Sequence, residues 1–319
     1  MSDQHVIAID LGGTKLLAGV VDRGGRVLRR AERPTDVSSQ ARVLTELENT
    51  IEELSANAAA AVGVGIPSLI DQKAGRAVSS VNIPLAGVDI RAHLSEHSGL
   101  PVAIENDANA AALAEHRFGA GRGTNHMVLL TLGTGVGGGL VLDGRLYRGS
   151  MGAGAELGHV TIDVHGGPCQ GTCPGIGHLE SLASGTGASA RALRIAEERP
   201  EGDLGRAAAA GQRVDARLVV ELARAGPGDA REVLETTGTY LGFGIANYVN
   251  VFNPEVVVVG GGFGQVGELL LEPARRVVAE RALSPSRDVV RIVSAELGPD
   301  AGLIGAAVAG FDVLDGGGS

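Results

Sequence analysis

The chain has 319 residues, of which 50 are glycine and 44% are hydrophobic, and it contains no tryptophan. This length and apolar content suffice for two domains with their own cores, and the glycines lack the three-residue period of collagen. The 37 acidic residues outnumber the 27 basic ones, and the net charge of −10 argues against nucleic-acid binding. Because no apolar stretch approaches the roughly 20 residues of a membrane span and Met1–His5 is not a leader, we expect a cytoplasmic protein without membrane contact.

Three short apolar runs separated by glycine turns open the chain. Val6–Asp10, Leu16–Val21 and Arg26–Arg30 predict the strands of a β-meander. Apolar positions between residues 37 and 54 then recur at helical spacing. The elements predicted next are a helix at Val37–Leu54, strands at Ala61–Ile66 and Val102–Ile104, and a helix at Ala108–Arg117.

The same pattern begins again after the glycines of residues 119–123. His126–Leu132 predicts a strand, Gly133–Gly139 a turn, and Leu140–Leu142 a second strand closed by an Asp-Gly hairpin signal. Two such strand-turn-strand units indicate a duplicated architecture. The remaining predicted elements are helices at Ser189–Glu198, Ala216–Ala225, Ala230–Asn250, Glu268–Arg281 and Ala301–Val313, and strands at Val256–Val259 and Val289–Val293.

Three glycine-rich loops are candidates for phosphate binding, at Asp10–Lys15, Gly133–Gly139 and Gly260–Gly264. Without a β-carbon, the backbone amides of such loops converge on an anion. Any one of them alone is equally compatible with a tight turn that binds nothing. In the first loop, Asp10 and Thr14 offer oxygens to Mg²⁺ or its waters and Lys15 offers a positive charge.

A dinucleotide-binding enzyme, such as an NAD-dependent one, is an alternative because two glycine sets fit GxGxxG. The set at Gly133, Gly135 and Gly138 precedes a predicted strand, whereas the dinucleotide fingerprint needs a helix there. The set beginning at Gly262 lies late in the chain, without an evident acid about 20 residues further on. Both matches are therefore weak, and no GxxxxGK[ST] motif occurs.

Two glycine turns inside hairpins instead resemble the actin and hexokinase class of ATP-binding folds, and longer motifs narrow the resemblance. The runs VAIENDANAA at Val102–Ala111, LGTGVGGGLVLDGRLYRGSMGAGAELGH at Leu132–His159 and GTCPGIGHLESLASGT at Gly171–Thr186 are similar to the ROK family of bacterial sugar kinases and repressors. The likeness extends from Val6 to about Ala307.

The resemblance implies an α/β fold of two lobes, the actin/hexokinase-like (ribonuclease H-like) ATPase fold, with the active site in a cleft between the lobes. Residues 1–118, joined by a last helix at about 300–315, would form the first lobe. Residues 119–299 would form the larger second lobe, with nucleotide loops and a zinc-type loop.

The resemblance also implies ATP-dependent phosphorylation of a hexose with Mg²⁺. Glucose, giving glucose 6-phosphate, is favoured over N-acetylmannosamine, N-acetylglucosamine and other hexoses, and polyphosphate is an alternative donor. ROK repressors carry a basic winged helix before the first strand, and here only Met1–His5 precede Val6, so we expect a kinase.

The family implies a homodimer or homotetramer. The expected nucleotide-binding residues are Asp10, Gly12, Gly13, Thr14, Lys15, Gly133, Thr134, Gly135, Gly261 and Gly262.

Asp107 lies where a predicted strand gives way to a helix, so the helix dipole favours its ionised form. Such a carboxylate can accept a hydroxyl proton, but Asp is also a preferred helix N-cap, and the sequence leaves both roles open. The family resemblance implies that Asp107 is the general base and that Asn106 holds sugar oxygens. It also implies that Glu156, His159 and Glu180 line the hexose pocket, with Asn82 as a further contact. Ser68 stands where the family usually has glycine.

Four metal-binding side chains lie within 20 residues: His159, Cys169, Cys173 and His178. Two thiols and two imidazoles in a loop rich in glycine suit a closed tetrahedral Zn²⁺ site. ROK proteins usually carry one His and three Cys here, and His178 takes the place of the third Cys. We therefore expect a structural Cys₂His₂ zinc site that orients His159, with His165 as a reserve ligand and loss of the metal as the alternative.

Overall fold

The computed structural model describes residues 4–55, 59–80 and 83–316. It divides into two compact units. Unit 1 comprises residues 1–123, 139–155 and 299–319, and unit 2 comprises residues 124–138 and 156–298. Among the described residues, no helix combines the length and the apolar character needed to cross a bilayer.

Unit 1 is built on a five-stranded sheet of order β3-β2-β1-β4-β7. Its strands are β1 (His5–Leu11), β2 (Lys15–Asp22), β3 (Val27–Pro34), β4 (Ala61–Ile66) and β7 (Val102–Asn106). The first three strands are antiparallel, as the meander predicted, whereas β4 pairs in parallel with both β1 and β7. Because parallel neighbours end at the same edge, β1, β4 and β7 all finish on one side of the sheet.

The helices of unit 1 cover both faces of this sheet. Alternate residues of β1 separate the two cores: Ile7 and Ile9 belong to one apolar cluster, Val6 and Ala8 to another. The remaining elements of the unit are α1 (Gln40–Ser55), the hairpin β5 (Ser68–Asp71) and β6 (Arg76–Ser80), α2 (Ile90–Ser98), α3 (Asp107–Phe118), β10 (Arg145–Leu146) and α11 (Ala301–Leu314). The chain thus returns to unit 1 at its end.

Unit 2 has a parallel core in which β11 (Val256–Gly260) lies between β8 (Met127–Leu132) and β12 (Arg291–Ser294). Strand β9 (Val136–Leu142), which begins in this unit, lies beside β8, so the strand order here is β9-β8-β11-β12. Its helices are α4 (Leu179–Ala183), α5 (Gly185–Glu198), α6 (Asp203–Ala209), α7 (Ala216–Ala225), α8 (Asp229–Phe252), α9 (Glu268–Arg281) and α10 (Ser286–Val289).

Several predicted boundaries were wrong. Strand β9 begins at Val136, so the predicted turn ends at Gly135 and residues 137–139 are strand residues. The strand predicted at Val289–Val293 instead begins at Arg291, after the short helix α10. The β5–β6 hairpin and helices α2, α4 and α6 were not predicted.

Candidate active site

The turn between β1 and β2 carries the first predicted phosphate loop. The Gly12 amide donates to the Lys15 carbonyl at 2.8 Å, which closes the hairpin. Thr35, which the sequence did not single out, fixes this turn by donating its hydroxyl to the Gly12 carbonyl at 2.8 Å. The Lys15 ammonium lies 3.1 Å from Glu32 and is about half exposed, so it can exchange this weak surface pairing for an anion.

Asp10 ends the first strand in an unfavourable place for a negative charge. Burial raises its pKa from 3.8 to about 6; the Asp107 carboxylate adds to the rise and Lys15 opposes it. A β-carbon at Gly302 would lie 2.4 Å from Asp10 Oδ2, so only glycine at this position leaves room for the carboxylate. A desolvated carboxylate that faces a second one is a candidate ligand for a divalent cation.

Asn106, not Asp107, is the N-cap of α3. Its side-chain oxygen accepts the amides of Ala108 at 3.0 Å and Asn109 at 3.1 Å. Its amide nitrogen donates to the Ser68 carbonyl at 3.3 Å, so the residue that replaces the family's usual glycine supports Asn106 through its backbone. Capping therefore does not account for the acid at position 107.

Asp107 is the first residue of α3 and is only partly exposed. Its Oδ1 accepts the amide of Ala108 at 2.9 Å. Burial raises its pKa above the usual value of 3.8, although hydrogen bonds from the backbone and from Asn106 oppose the rise. A carboxylate with a raised pKa at the end of a strand has the properties of a general base.

In unit 2, the two other predicted phosphate loops lie together. The Phe263 amide, next to Gly262, donates to the carbonyl of Leu132, which directly precedes Gly133. The first turn of α5 supports the loop of residues 133–135, because Thr186 donates its hydroxyl to the Thr134 carbonyl at 2.8 Å. The two loops lie together because β8 and β11 pair in parallel, so that both loops follow the carboxyl ends of neighbouring strands.

Glu180 contacts the chain where the predicted phosphate loop leads into β9. Its Oε2 accepts the Val136 amide at 3.0 Å. A β-carbon at Gly135 would lie 2.2 Å from the same oxygen, which explains why glycine is needed there. Glu180 also lies 3.7 Å, through Oε1, from the Cys169 sulfur. A residue predicted only for sugar binding thus contacts both the loop and the zinc-type cluster.

The four predicted metal ligands converge. The two imidazole Nδ1 atoms are 3.3 Å apart, and Cys173 Sγ lies 3.6 Å from each of them. Cys169 Sγ lies 3.7 Å from His159 Nδ1, and all four donor atoms are within 4.8 Å of one another. Zinc–nitrogen bonds of about 2.0 Å and zinc–sulfur bonds of about 2.3 Å in a tetrahedron give N–N separations of roughly 3.3 Å and N–S separations of roughly 3.5 Å. Four of the six donor separations are therefore close to those of a tetrahedral site.

Local structure explains how the loop brings these ligands together. His159 ends a single turn of 3₁₀ helix, and His178 is the residue before α4. Isolated β-bridges, one between Thr161 and His178, hold the intervening loop. The reserve ligand His165 is not part of the cluster.

The other predicted sugar-binding residues differ in how far the structure describes them. Glu156 Oε2 lies 3.9 Å from Nε2 of His159, the ring nitrogen that faces away from the metal ligands, and about half of the Glu156 side chain is exposed. Asn82 lies outside the described residues.

A cavity of about 540 Å³ lies beside the loop of residues 133–135 in unit 2, and the sequence did not predict it. It begins at Thr186, which binds Thr134, and extends between α5 and the segment that precedes α7. Its lining residues are Thr186, Ser189, Leu193, Ala208, Gln212, Arg213, Val214 and Asp215. Residues so far apart in the chain give no local signal of a shared pocket.

Comparison with known proteins finds relatives that match nearly the whole chain. The profile of the ROK family matches residues 6–310. A glucokinase of Thermotoga maritima is 38% identical over 311 residues, which are 96% of this chain and 97% of that protein. A ROK family glucokinase from Streptomyces griseus, crystallised with glucose and AMPPNP, is 33% identical with a TM-score of 0.82, covering 97% of this chain and 99% of that one. A ROK hexokinase from Thermus thermophilus is 37% identical with a TM-score of 0.80, covering 98% and 100%.

The match extends over nearly the whole chain and includes every motif described above. Both units have mixed α/β architecture, and the solved structures superpose on the chain over almost their full lengths. This chain therefore belongs to the ROK family and has its actin/hexokinase-like sugar-kinase fold.

Proposed function

We propose that this protein is an ATP-dependent hexose kinase of the glucokinase type, which converts glucose to glucose 6-phosphate. One observation carries the proposal: the Asp107 carboxylate has a raised pKa and is not the cap of its helix, because Asn106 has that role. It is therefore free to accept a proton. Full-length similarity to glucokinases supports glucose as the acceptor.

In the proposed reaction, Asp107 accepts the proton of the sugar hydroxyl, which we assign to O6. The hydroxyl oxygen forms a bond to the γ-phosphorus of ATP while the bond from that phosphorus to the ADP oxygen breaks. Asn106 fixes the base by capping α3, and its amide nitrogen is the group through which it would reach a sugar oxygen.

The residues of unit 1 also fit a divalent cation. Asp10, whose ionised form burial and the Asp107 charge disfavour, would gain most from Mg²⁺ or its bound waters, with Thr14 as a further oxygen. When bound, Mg²⁺ neutralises charge that develops on the phosphates. The backbone of residues 12–15 and the Lys15 ammonium supply the remaining positive potential.

In unit 2, the loops at Gly133–Gly135 and Gly261–Gly262 are assigned to phosphate groups. The adjoining cavity of about 540 Å³ is assigned to the adenosine part of ATP, because it begins at the loop of residues 133–135 and offers polar as well as apolar walls. Glu156, Glu180 and Nε2 of His159 are assigned to sugar hydroxyls, since acids and imidazoles bind such neutral polar groups through directed hydrogen bonds.

We assign the tetrahedral set His159, Cys169, Cys173 and His178 to a structural zinc ion, because the donor separations fit that metal. Its contribution is positional. The zinc ion would fix the loop of residues 159–178, which has few buried side chains, and would orient His159 so that its other ring nitrogen faces Glu156.

A coupled assay of ADP release over a panel of hexoses tests the proposal, with glucose expected to give the highest kcat/KM. In Asp107→Asn, kcat is expected to fall by roughly 10²- to 10⁴-fold, the usual contribution of a general base, while glucose binding measured by calorimetry is retained. Near-normal turnover of this variant would contradict the role of Asp107. Replacing ATP with polyphosphate tests the donor, and sedimentation analysis tests the expected dimer or tetramer.

A further inference from the structure

Glu105, the residue before the Asn106–Asp107 pair, is a buried carboxylate to which the proposed function gives no role. Only 1% of its surface is exposed. Its Oε1 accepts the Asn106 amide at 3.0 Å and the side-chain amides of Gln72 and Asn109, both at 3.1 Å. Its Oε2 accepts Nε of Arg148 at 2.7 Å. A buried carboxylate needs such donors, because an unpaired charge in the protein interior is strongly destabilising.

These bonds fix the chain on both sides of Asp107. The Asn106 amide precedes the Asp107 backbone, and the Asn109 side chain lies in the first turn of α3 that follows it. Asn106 in turn caps the same helix. Any displacement of the Glu105 carboxylate therefore changes the strand-to-helix junction that carries the Asp107 side chain.

Arg148 is the part of this network contributed by a distant segment of unit 1. It follows β10, and this segment is itself held close to the β5 strand: a β-carbon at Gly152 would lie 1.9 Å from the Ile70 carbonyl oxygen. Arg148 thus approaches Glu105 from a fixed segment and brings the shortest of the four bonds. Since 32% of its side chain is exposed and Glu105 keeps three other donors without it, removing Arg148 should not unfold the protein.

Resting on the proposed kinase function, we propose that Arg148 is a positioning residue for phosphoryl transfer, which acts through Glu105 to hold Asp107 where it can accept the hydroxyl proton. Displacing a reacting group by about 1 Å can lower a rate by as much as 10²-fold, whereas substrate binding that does not depend on Asp107 stays the same. The loss on removing Arg148 should therefore be in kcat and not in KM.

A cavity beside the pair makes a specific rescue possible. A space of about 300 Å³ in unit 1 is lined by Arg148, Glu105 and Gln72, together with Arg91 and Asp312. Truncating Arg148 to alanine would enlarge this space next to the Glu105 carboxylate. A small guanidinium compound could then enter and donate to the same oxygen, since planar guanidinium and carboxylate groups match in geometry.

The experiment compares Arg148→Ala with the wild-type enzyme in the ADP-release assay with glucose. We expect kcat to fall by at least about tenfold, with both KM values within about twofold of the wild type, and millimolar methylguanidinium to restore part of the loss. Arg148→Lys should be intermediate. Arg145→Ala, an exposed arginine three residues earlier, is the matched control and should show neither the loss nor a response to methylguanidinium.

Normal kcat in Arg148→Ala, or a loss that methylguanidinium does not reverse, would overturn the inference. If Arg148→Ala does not give folded protein, Glu105→Gln replaces it, because glutamine keeps an acceptor for the Asn106 amide but loses the charge that binds Arg148. A fall in kcat with unchanged KM would then support the inference, and unchanged kcat would overturn it. A wild-type enzyme that phosphorylates no hexose would instead contradict the proposed function.

Discussion

The carboxylate of Asp10 lies against the backbone of Gly302, where a β-carbon would come within 2.4 Å of Oδ2. Gly302 is the second residue of α11, which joins unit 1 from the end of the chain. The contact therefore joins two residues almost 300 positions apart in the sequence.

Gly302→Ala should displace Asp10 and lower kcat by at least about tenfold, with a higher Mg²⁺ requirement. Helix propensity favours alanine over glycine by up to about 1 kcal/mol, so a weaker helix would not explain the loss. Steady-state kinetics over a Mg²⁺ series measure the effect. Gly226→Ala is the control, because a β-carbon there meets no atom within 4 Å. Equal activity of both variants would contradict the proposed role of Asp10.

The raised pKa of Asp10 predicts a pH-dependent stability. Since the pKa rises from 3.8 to about 6 on folding, the folded chain binds this proton more tightly, and Asp10 lowers stability as pH rises through that range. At neutral pH the cost is on the order of 3 kcal/mol, at about 1.4 kcal/mol per pKa unit. In Mg²⁺-free buffer, Asp10→Asn should therefore raise the melting temperature at pH 7.5 by several degrees and at pH 4 by much less.

Thermal unfolding at both pH values measures this difference, with the exposed Glu221→Gln as the control. Equal effects of Asp10→Asn at pH 4 and pH 7.5 would contradict it.

The raised pKa of Asp107 predicts a pH dependence of catalysis, because Asp107 must be ionised to accept a proton. As pH is lowered, kcat/KM should begin to fall at a pH above the usual pKa of an aspartate.

Removal of the proposed zinc ion should lower both thermal stability and glucose affinity, because the loop that orients His159 would lose its tetrahedral centre. His178→Ala should retain less zinc after dialysis against a chelator, whereas His178→Cys, which restores the ligand usual in the family, should retain it. Elemental analysis and calorimetry with glucose provide the readouts. His165→Ala, in the same loop but outside the cluster, should behave as the wild type. Unchanged stability and affinity in a metal-free preparation would refute the zinc assignment.

Gly135→Ala should displace Glu180 from the Val136 amide, because the new β-carbon would lie 2.2 Å from Oε2. We expect the dissociation constant for glucose, measured without nucleotide, to rise by roughly tenfold, the order expected for losing one hydrogen bond to a charged group. Gly133→Ala belongs to the same loop but meets no atom within 4 Å. It should leave glucose binding in the absence of nucleotide unchanged. Equal glucose affinities for the two variants would argue against Glu180 as a sugar ligand.

Much of the sheet architecture could be predicted from the sequence, because buried strands are continuous apolar runs and their turns contain glycine. Val6–Asp10 and Val256–Val259 are such runs, and both lie within observed strands. Helix α2 was not predicted because only Ile90 and Leu94 are buried on it, too few positions to give a helical period. The start of β9 was misplaced because its glycines resemble a turn and only the sheet contacts make them a strand.

The family motifs and the metal-ligand set were also present in the sequence, since both depend on residue types at short spacing. The role of Asp107 was not, because capping and catalysis need the same kind of residue at the same place. The structure shows that Asn106, and not Asp107, caps the helix, which supports the catalytic role that we propose for Asp107.

The sequence by itself determined the family, the α/β class and the chemical types of the functional side chains. Only the tertiary structure decided which distant residues share an environment: Asp10 with Gly302, Glu180 with Val136, and Glu105 with Arg148. The physical reason is that residue type fixes what a side chain can bind or donate. The pKa of a side chain, the space around it and its partners depend on segments that only folding brings into contact.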